Sequence, residues 1–219
     1  MLNYNRVLCF DFETTGLNGF TDEIIEIGAV LLEKKEGQLK VTKELSLLVM
    51  PSKPLPQKII DITHITDELL LREGISQEEA FQKFADLYQD EKTLLIAYNI
   101  QFDLLFMQTL FKRHWNTLFS IKNDVLDVMA IYKDRHRFPH RLDNCVQTYG
   151  VDVKNTHRAL DDIKATFQAL VKMAEEKNNI SHYINKIGYN GTYGVSGIRL
   201  PHVKYIPQKG GYREIENSL

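Results

Sequence analysis

The chain has little cysteine, no long apolar run and no surplus of positive charge. Of its 219 residues, only Cys9 and Cys145 carry a thiol. Two thiols that far apart supply no disulfide framework, so a reducing compartment is expected and the cytoplasm is the localisation that fits. No stretch of 18 apolar residues occurs, which excludes a helical membrane span. The first residues lack a basic segment followed by a long apolar one, so no secretory signal is expected there. Lys and Arg number 27 against 29 Asp and Glu, a formal net charge of −2. No global field draws in a polyanion, and any contact with nucleic acid has to be local. Internal repeats and low-complexity tracts are missing too. What remains, 43% hydrophobic and 26% charged residues, is the composition of a globular chain with a sizeable core.

The strongest local signal is Val7-Leu8-Cys9-Phe10-Asp11-Phe12-Glu13-Thr14-Thr15-Gly16-Leu17. Val7 to Phe12 reads as a short buried strand, apolar except for Asp11. Side chains on a strand alternate, so Asp11 and Glu13 share one face while Phe10 and Phe12 share the other. About 6.6 Å of rise separates the two carboxylates. That leaves room for a pair of divalent cations about 3.5–4 Å apart. An acid inside such a strand is costly unless something pairs with it. A D-x-E at a strand end is common on its own, so its meaning depends on acids elsewhere in the chain.

Two more strands follow, one over residues 24–32 and one over about 39–50, joined by the polar turn Lys34-Lys35-Glu36-Gly37. So short a connection makes an antiparallel meander. Glu26, inside the second strand, reads as an outward-facing polar residue on an edge. Pro51, Pro54 and Pro56 mark a loop, which leads to a helical turn near 57–61 and the phrase Ile62-Thr63-His64-Ile65-Thr66. Ser76 and Glu79 form a capping box opening a helix with Phe81, Phe84 and Leu87 on its apolar face. Residues 93–98 are a buried strand ended by Asn99. The helix after it, over about 101–113, places Asp103 on the same face as Phe106 and Met107. That acid has two readings, a favourable charge at a helix N-terminus or a member of a site.

Residues 124–132 and 141–149 read as helices. The basic loop Lys133–Arg141 between them contains Pro139, which argues against a helix aligning His136 and His140 on a metal. A solvated loop and a phosphate contact are its two readings. The last long helix, over about 158–177, has a 3.6-residue apolar stripe. Its row Ala159, Asp162, Thr166 and Ala169 is short enough to lie close against a sheet, with Asp161 as the solvent-facing neighbour. From Gly188 the composition changes: six of the twelve glycines, Gly188 included, lie from that point on, interleaved with Tyr189, Tyr193, Tyr205 and Tyr212. Residues 186–219 carry Lys186, Arg199, Lys204, Lys209 and Arg213 against Glu214 and Glu216. This segment reads as a flexible tail or as an arm contacting nucleic acid or a partner.

Asp11, Glu13, Asp103 and Asp162 each sit on, or at the start of, an apolar element. Four such acids in one core repel one another unless cations bind among them. Oxygen-only ligation selects hard ions, Mg²⁺ or Mn²⁺, over zinc. Two such ions suit in-line displacement at phosphorus. His157 precedes Asp162 by five residues, and imidazole is suited to general-base work at neutral pH.

Three segments resemble the exonuclease motifs of the DEDDh family, in its DnaQ-like group: Asp11-Phe12-Glu13-Thr14-Thr15-Gly16-Leu17, Tyr98-Asn99-Ile100-Gln101-Phe102-Asp103 and His157-Arg158-Ala159-Leu160-Asp161-Asp162. The resemblance covers about residues 5–175. It implies an α/β RNase H-like fold, a five-stranded mixed sheet flanked by helices, with residues 1–180 as the exonuclease domain and 181–219 as a Gly/Tyr-rich C-terminal tail or arm. The fifth strand is expected around 123–126. The implied activity is 3′→5′ hydrolysis with two Mg²⁺ or Mn²⁺, Asp11, Glu13 and Asp162 ligating directly and Asp103 through a water. His157 would deprotonate the attacking water. Thr14, Thr15, Leu17, Ile65, Asn99 and Phe102 would contact substrate, with the core as the other reading of Leu17 and Phe102. The implied substrates are single-stranded or frayed 3′ ends of DNA, with RNA as an alternative, and a replicative polymerase is the implied partner. A polymerase-associated module active only in its complex is a second reading. Two departures stand out: Tyr98 occupies a position where relatives carry His, and His64 replaces a Gly of the substrate segment.

Overall fold

The computed structural model describes residues 2–89, 91–152 and 158–218. The first three strands, β1 (Arg6–Thr14), β2 (Ile24–Lys35) and β3 (Gln38–Leu48), form the expected antiparallel meander. Three short helices follow, α1 (Gln57–Thr63), α2 (Asp67–Glu73) and α3 (Gln77–Tyr88). Helix α2 has no counterpart in the sequence reading. Its N-cap is Thr66, whose hydroxyl accepts from Leu69 N. Ser76 caps α3 by accepting from Glu79 N at 3.1 Å.

Strand β4 (Leu94–Ala97) runs parallel to β1, and α4 (Ile100–His114) leaves its end. The segment expected as one helix divides in two. Val125–Asp127 is β5, parallel to β4, and Val128–Arg135 is α5. The sheet order is β3-β2-β1-β4-β5, a five-stranded mixed sheet flanked by helices. The buried carboxylate of Asp127 makes the division, since its Oδ1 accepts from Met129 N and caps α5. Helices α6 (Leu142–Thr148) and α7 (Ala159–Glu176) complete the body. No helix among the described residues is long and apolar enough to cross a membrane.

Strand alternation divides β1 between two cores. Leu8, Phe10 and Phe12 pack with Phe84, Phe106 and Phe111 beneath α3 and α4. Val7 and Cys9 face α5 and α7, packing with Ile131, Ile163 and Leu170. Asp11 and Glu13 continue this second face toward the N-terminus of α7. The small row predicted on α7 is buried there: Ala159, Asp162, Thr166 and Ala169. Gly28 makes the approach so close. It pairs with Asp11 across the β1–β2 ladder, and a Cβ on it would lie 2.5 Å from the Ala159 carbonyl carbon.

The Gly/Tyr-rich stretch, expected as a tail or arm, is folded against this body. After a 3-10 turn (Ile180–Tyr183), β6 (Lys186–Tyr189) and β7 (Lys204–Pro207) pair in parallel as a small second sheet. Ile187, Leu200 and Val203 join the first core, and Ile206 and Ile215 the second. Asp134 of α5 anchors the segment from inside. Its carboxylate accepts from Tyr183 Oη, Gln208 Nε2, Ile215 N and Glu216 N, all at 2.9–3.0 Å.

Candidate active site

The site lies where β1, the start of α7 and the start of α4 meet. One carboxylate oxygen from each of Asp11, Glu13 and Asp162 lies within 4.8 Å of the other two. Asp11 and Glu13 come from alternate positions on one face of β1. Asp162 lies one turn into α7, lowered onto that face across Gly28. Asp162 Oδ1 is buried and has no hydrogen-bond partner among the described residues. Hence the three acids have the donor chemistry that a hard divalent cation needs.

Electrostatics point the same way. Burial, then repulsion from neighbouring acids, pushes the Asp11 carboxyl up to about 7, Asp162 to about 8 and Glu13 to about 9. An ordinary carboxylate sits near about 4, so these groups carry uncompensated negative charge whenever they ionise.

Asp103 stands apart from the three. It is 2% exposed, and its Oδ1 accepts from Phe12 N at 3.1 Å. Strand β1 pairs with β4 only through Val7, Leu8 and Cys9. Beyond that point β4 has ended, and Asp103 takes the place of a ladder partner for Phe12. Burial, and next to it the charge of Asp11, raises its pKa well above the ordinary range.

Sequence reasoning missed a further buried acid and the cation paired with it, Glu26 and Arg158. Glu26 is not an outward-facing edge residue. It is 1% exposed, lies on the central side of the meander opposite Glu13, and holds the start of α7. Its Oε1 accepts from Arg158 Nε at 2.9 Å and its Oε2 from Ala159 N at 3.2 Å. The uninterrupted apolar run around Glu26 was the available signal, because a strand buried on both faces reads that way.

The substrate-side residues fall into different settings. Leu17 is 84% exposed just beyond the end of β1, which rules out a core role. Phe102 is half-buried against Phe106. Asn99 is exposed at the head of α4 in the left-handed region (φ 63°), and its N–H donates to Asp127 Oδ1. The Thr14 hydroxyl donates to Gly16 O and the Thr15 hydroxyl accepts from Glu23 N, so both shape the turn after β1. Ile65 requires a correction: it is 0% exposed in a small core with Ile25, Leu48 and Leu70, and its side chain has no surface to offer a substrate. Its neighbour His64 faces the cleft instead. His64 ends α1 at φ 58°, so it adopts the backbone region a glycine would take there. Tyr98 has a structural use, donating to His140 O at 2.9 Å. His136 lies beyond the end of α5 and His140 Nε2 donates to His136 O, so the two imidazoles form no helical metal face. His157 lies outside the described residues.

Comparison with known proteins agrees with this geometry. The Exonuclease (RNase_T) family model matches residues 8–170. The chain belongs to the exonuclease family. A DNA polymerase III PolC-type protein of Pediococcus pentosaceus is 32% identical over 189 residues, covering 83% of this chain but 12% of that protein. The chain thus spans about an eighth of the length of such PolC-type relatives. The DNA polymerase III subunit epsilon of Treponema pallidum is 29% identical over 212 residues, covering 91% of this chain and 86% of that one. Among solved structures, E. coli exonuclease I in a zinc-bound complex with single-stranded DNA shares the fold. Its TM-score is 0.69 at 20% identity, over 83% of this chain and 43% of that one. The family match ends within α7, so the exonuclease-family core excludes the C-terminal segment.

Proposed function

We propose that this chain is a metal-dependent 3′→5′ exonuclease that releases nucleoside 5′-monophosphates from single-stranded or frayed 3′ ends, chiefly of DNA. One observation carries the reading: three carboxylates from separate parts of the chain converge within 4.8 Å, and one buried oxygen among them lacks a partner among the described residues. Two Mg²⁺ or Mn²⁺ ions bound there would supply Lewis-acid stabilisation of the attacking and leaving oxygens. Asp11, Glu13 and Asp162 would hold them, and Asp103 fixes the end of β1 through Phe12 N. His157 accepts the proton of the attacking water. Leu17 offers an exposed apolar face to the terminal base, and Asn99 lines the path of the strand.

DNA is favoured by the relatives' names, DNA polymerase III components and an exonuclease I bound to single-stranded DNA. The same names favour a replicative polymerase as partner. The deciding experiment incubates 5′-labelled DNA and RNA oligonucleotides with the purified protein and Mg²⁺ or Mn²⁺. A ladder shortening from the 3′ end one nucleotide at a time is expected, faster on DNA. Internal cuts, or no shortening with either metal, would overturn the reading. Faster loss of RNA would reassign the substrate.

A further inference from the structure

A cleft of about 1540 Å³ opens beside the acid cluster. Asp162 and Asn99 line it at the site, and Lys133, Phe138 and Arg141 of the basic loop line it further out. Its far wall is the C-terminal segment, through Thr192 and Lys209. The volume exceeds the roughly 300–1,000 Å³ of an ordinary small-ligand pocket, so it suits a chain more than a single small molecule.

We propose that this cleft grips single-stranded nucleic acid upstream of the 3′ end, with Lys133, Arg141 and Lys209 on the phosphates and Phe138 stacked on a base. The inference rests on the exonuclease reading for the strand's direction and adds a binding surface built by the basic loop and by a C-terminal wall that lies outside the family's matched region. Three observations lead to it.

The first is charge. None of the three cations forms an ion pair among the described residues, while other lysines and arginines do, such as Arg135 with Glu176 and Lys164 with Glu44. Lys133 is half-buried, and desolvation lowers its pKa despite the nearby charges of Asp127 and Glu214. Asp61 and Asp143 also line the cleft, which keeps the positive field local. That is the kind of grip a chain of net charge −2 allows.

The second is an aromatic platform. Phe138 is 83% exposed between the cations, and its ring meets His140 edge-on. A basic groove with exposed aromatics is the arrangement that holds single strands without reading sequence.

The third is rigidity. Gly211 N donates to Lys133 O and Arg213 N to Asp134 O, which ties the far wall to the basic loop. Gly210 passes so close that a Cβ would lie 2.7 Å from the His140 ring. Tyr98 secures the other end of the loop. Cations on a fixed frame lose less freedom when a strand binds.

The test uses Arg141→Ala/Lys209→Ala and Phe138→Ala in the full chain. Hydrolysis of single-stranded dT15 is compared with that of the p-nitrophenyl ester of thymidine 5′-monophosphate, which has nothing upstream. Binding of 5′-fluorescein-dT15 is followed by anisotropy without divalent metal. The double variant is expected to lower kcat/KM on dT15 at least tenfold more than on the ester, chiefly through KM. Its binding should lose about 1.4 from the slope of log affinity against log salt, about 0.7 for each phosphate contact removed. Equal losses on both substrates, or unchanged dT15 binding and salt slope, would overturn the proposal. If the wild type hydrolyses neither substrate yet its dT15 binding depends on Arg141 and Lys209, the cleft stands and the exonuclease reading falls.

Discussion

Arg158 grips Glu26 through two guanidinium nitrogens, Nε at 2.9 Å and Nη2 at 2.8 Å from the same carboxylate oxygen. The other Glu26 oxygen takes the N–H of Ala159. One buried acid on β2 therefore caps the helix that delivers Asp162, from a position directly opposite Glu13.

Replacing Glu26 with Ala strips both partners at once. A donor left unsatisfied in a buried setting costs about 1–3 kcal/mol. The Glu26→Ala protein is expected to lose stability by that amount in urea unfolding and to lose kcat as Asp162 is released. Glu26→Gln keeps a neutral acceptor and should recover part of both. Wild-type kcat in Glu26→Ala would remove Glu26 from the account.

The acid cluster sets a pH dependence whose sign follows from the raised pKa values. Asp11 near 7, Asp162 near 8 and Glu13 near 9 all lie above the unfolded range. The folded state binds these protons more tightly, so the stability they contribute is full below about pH 4 and is lost as pH rises through about 7 to 9. The Tm of the metal-free protein should fall between about pH 6 and pH 9. Mg²⁺ or Mn²⁺ should then raise Tm more at the higher pH, since ligands must shed protons to bind. Asp162→Asn should abolish both the metal-induced rise and hydrolysis while remaining folded. A metal-free Tm that climbs with pH would contradict the cluster's electrostatics.

His157→Ala tests the assigned base. A positioned acid–base group contributes about 10²–10⁴-fold to rate. That loss in kcat is expected, with metal-induced stabilisation retained because the carboxylates are untouched. Full activity of the purified variant would discard the assignment.

Gly28→Ala tests the seating of α7. The new methyl would meet the Ala159 backbone at 2.5 Å, a contact no rotamer relieves. Overpacking of this kind costs about 1–3 kcal/mol. The variant should show that loss together with weakened metal-induced stabilisation, because the shift separates Asp162 from Asp11. An unaltered metal response would mean that α7 tolerates the shift without moving its acid.

Much of this was legible in the chain. Asp11 and Glu13 share a face because strand alternation demands it, and the small row on α7 announced a close approach. Other features left no readable period. Strand β5 has three residues, too few for any pattern, and its Asp127 resembles the first turn of a helix. Glu26 and Arg158 lie 132 residues apart, and no local rule pairs them. Ile65 sat in a phrase resembling a substrate segment, but the alternation of that loop turned the residue inward and His64 outward. The C-terminal segment was hardest, since glycines that suggest a loose tail instead supply positive-φ turns in a stretch anchored on one buried carboxylate.

That carboxylate, Asp134, has an unexpected corollary. Residues 190–197 form the most open part of the outer wall, yet the chain is fastened on both sides of them, by Tyr183 and β6 before and by Gln208 and Ile215 after. A protease that nicks this loop would leave two fragments holding together without a covalent link. Such a cut would show on a denaturing gel and leave the elution volume of the native protein unchanged.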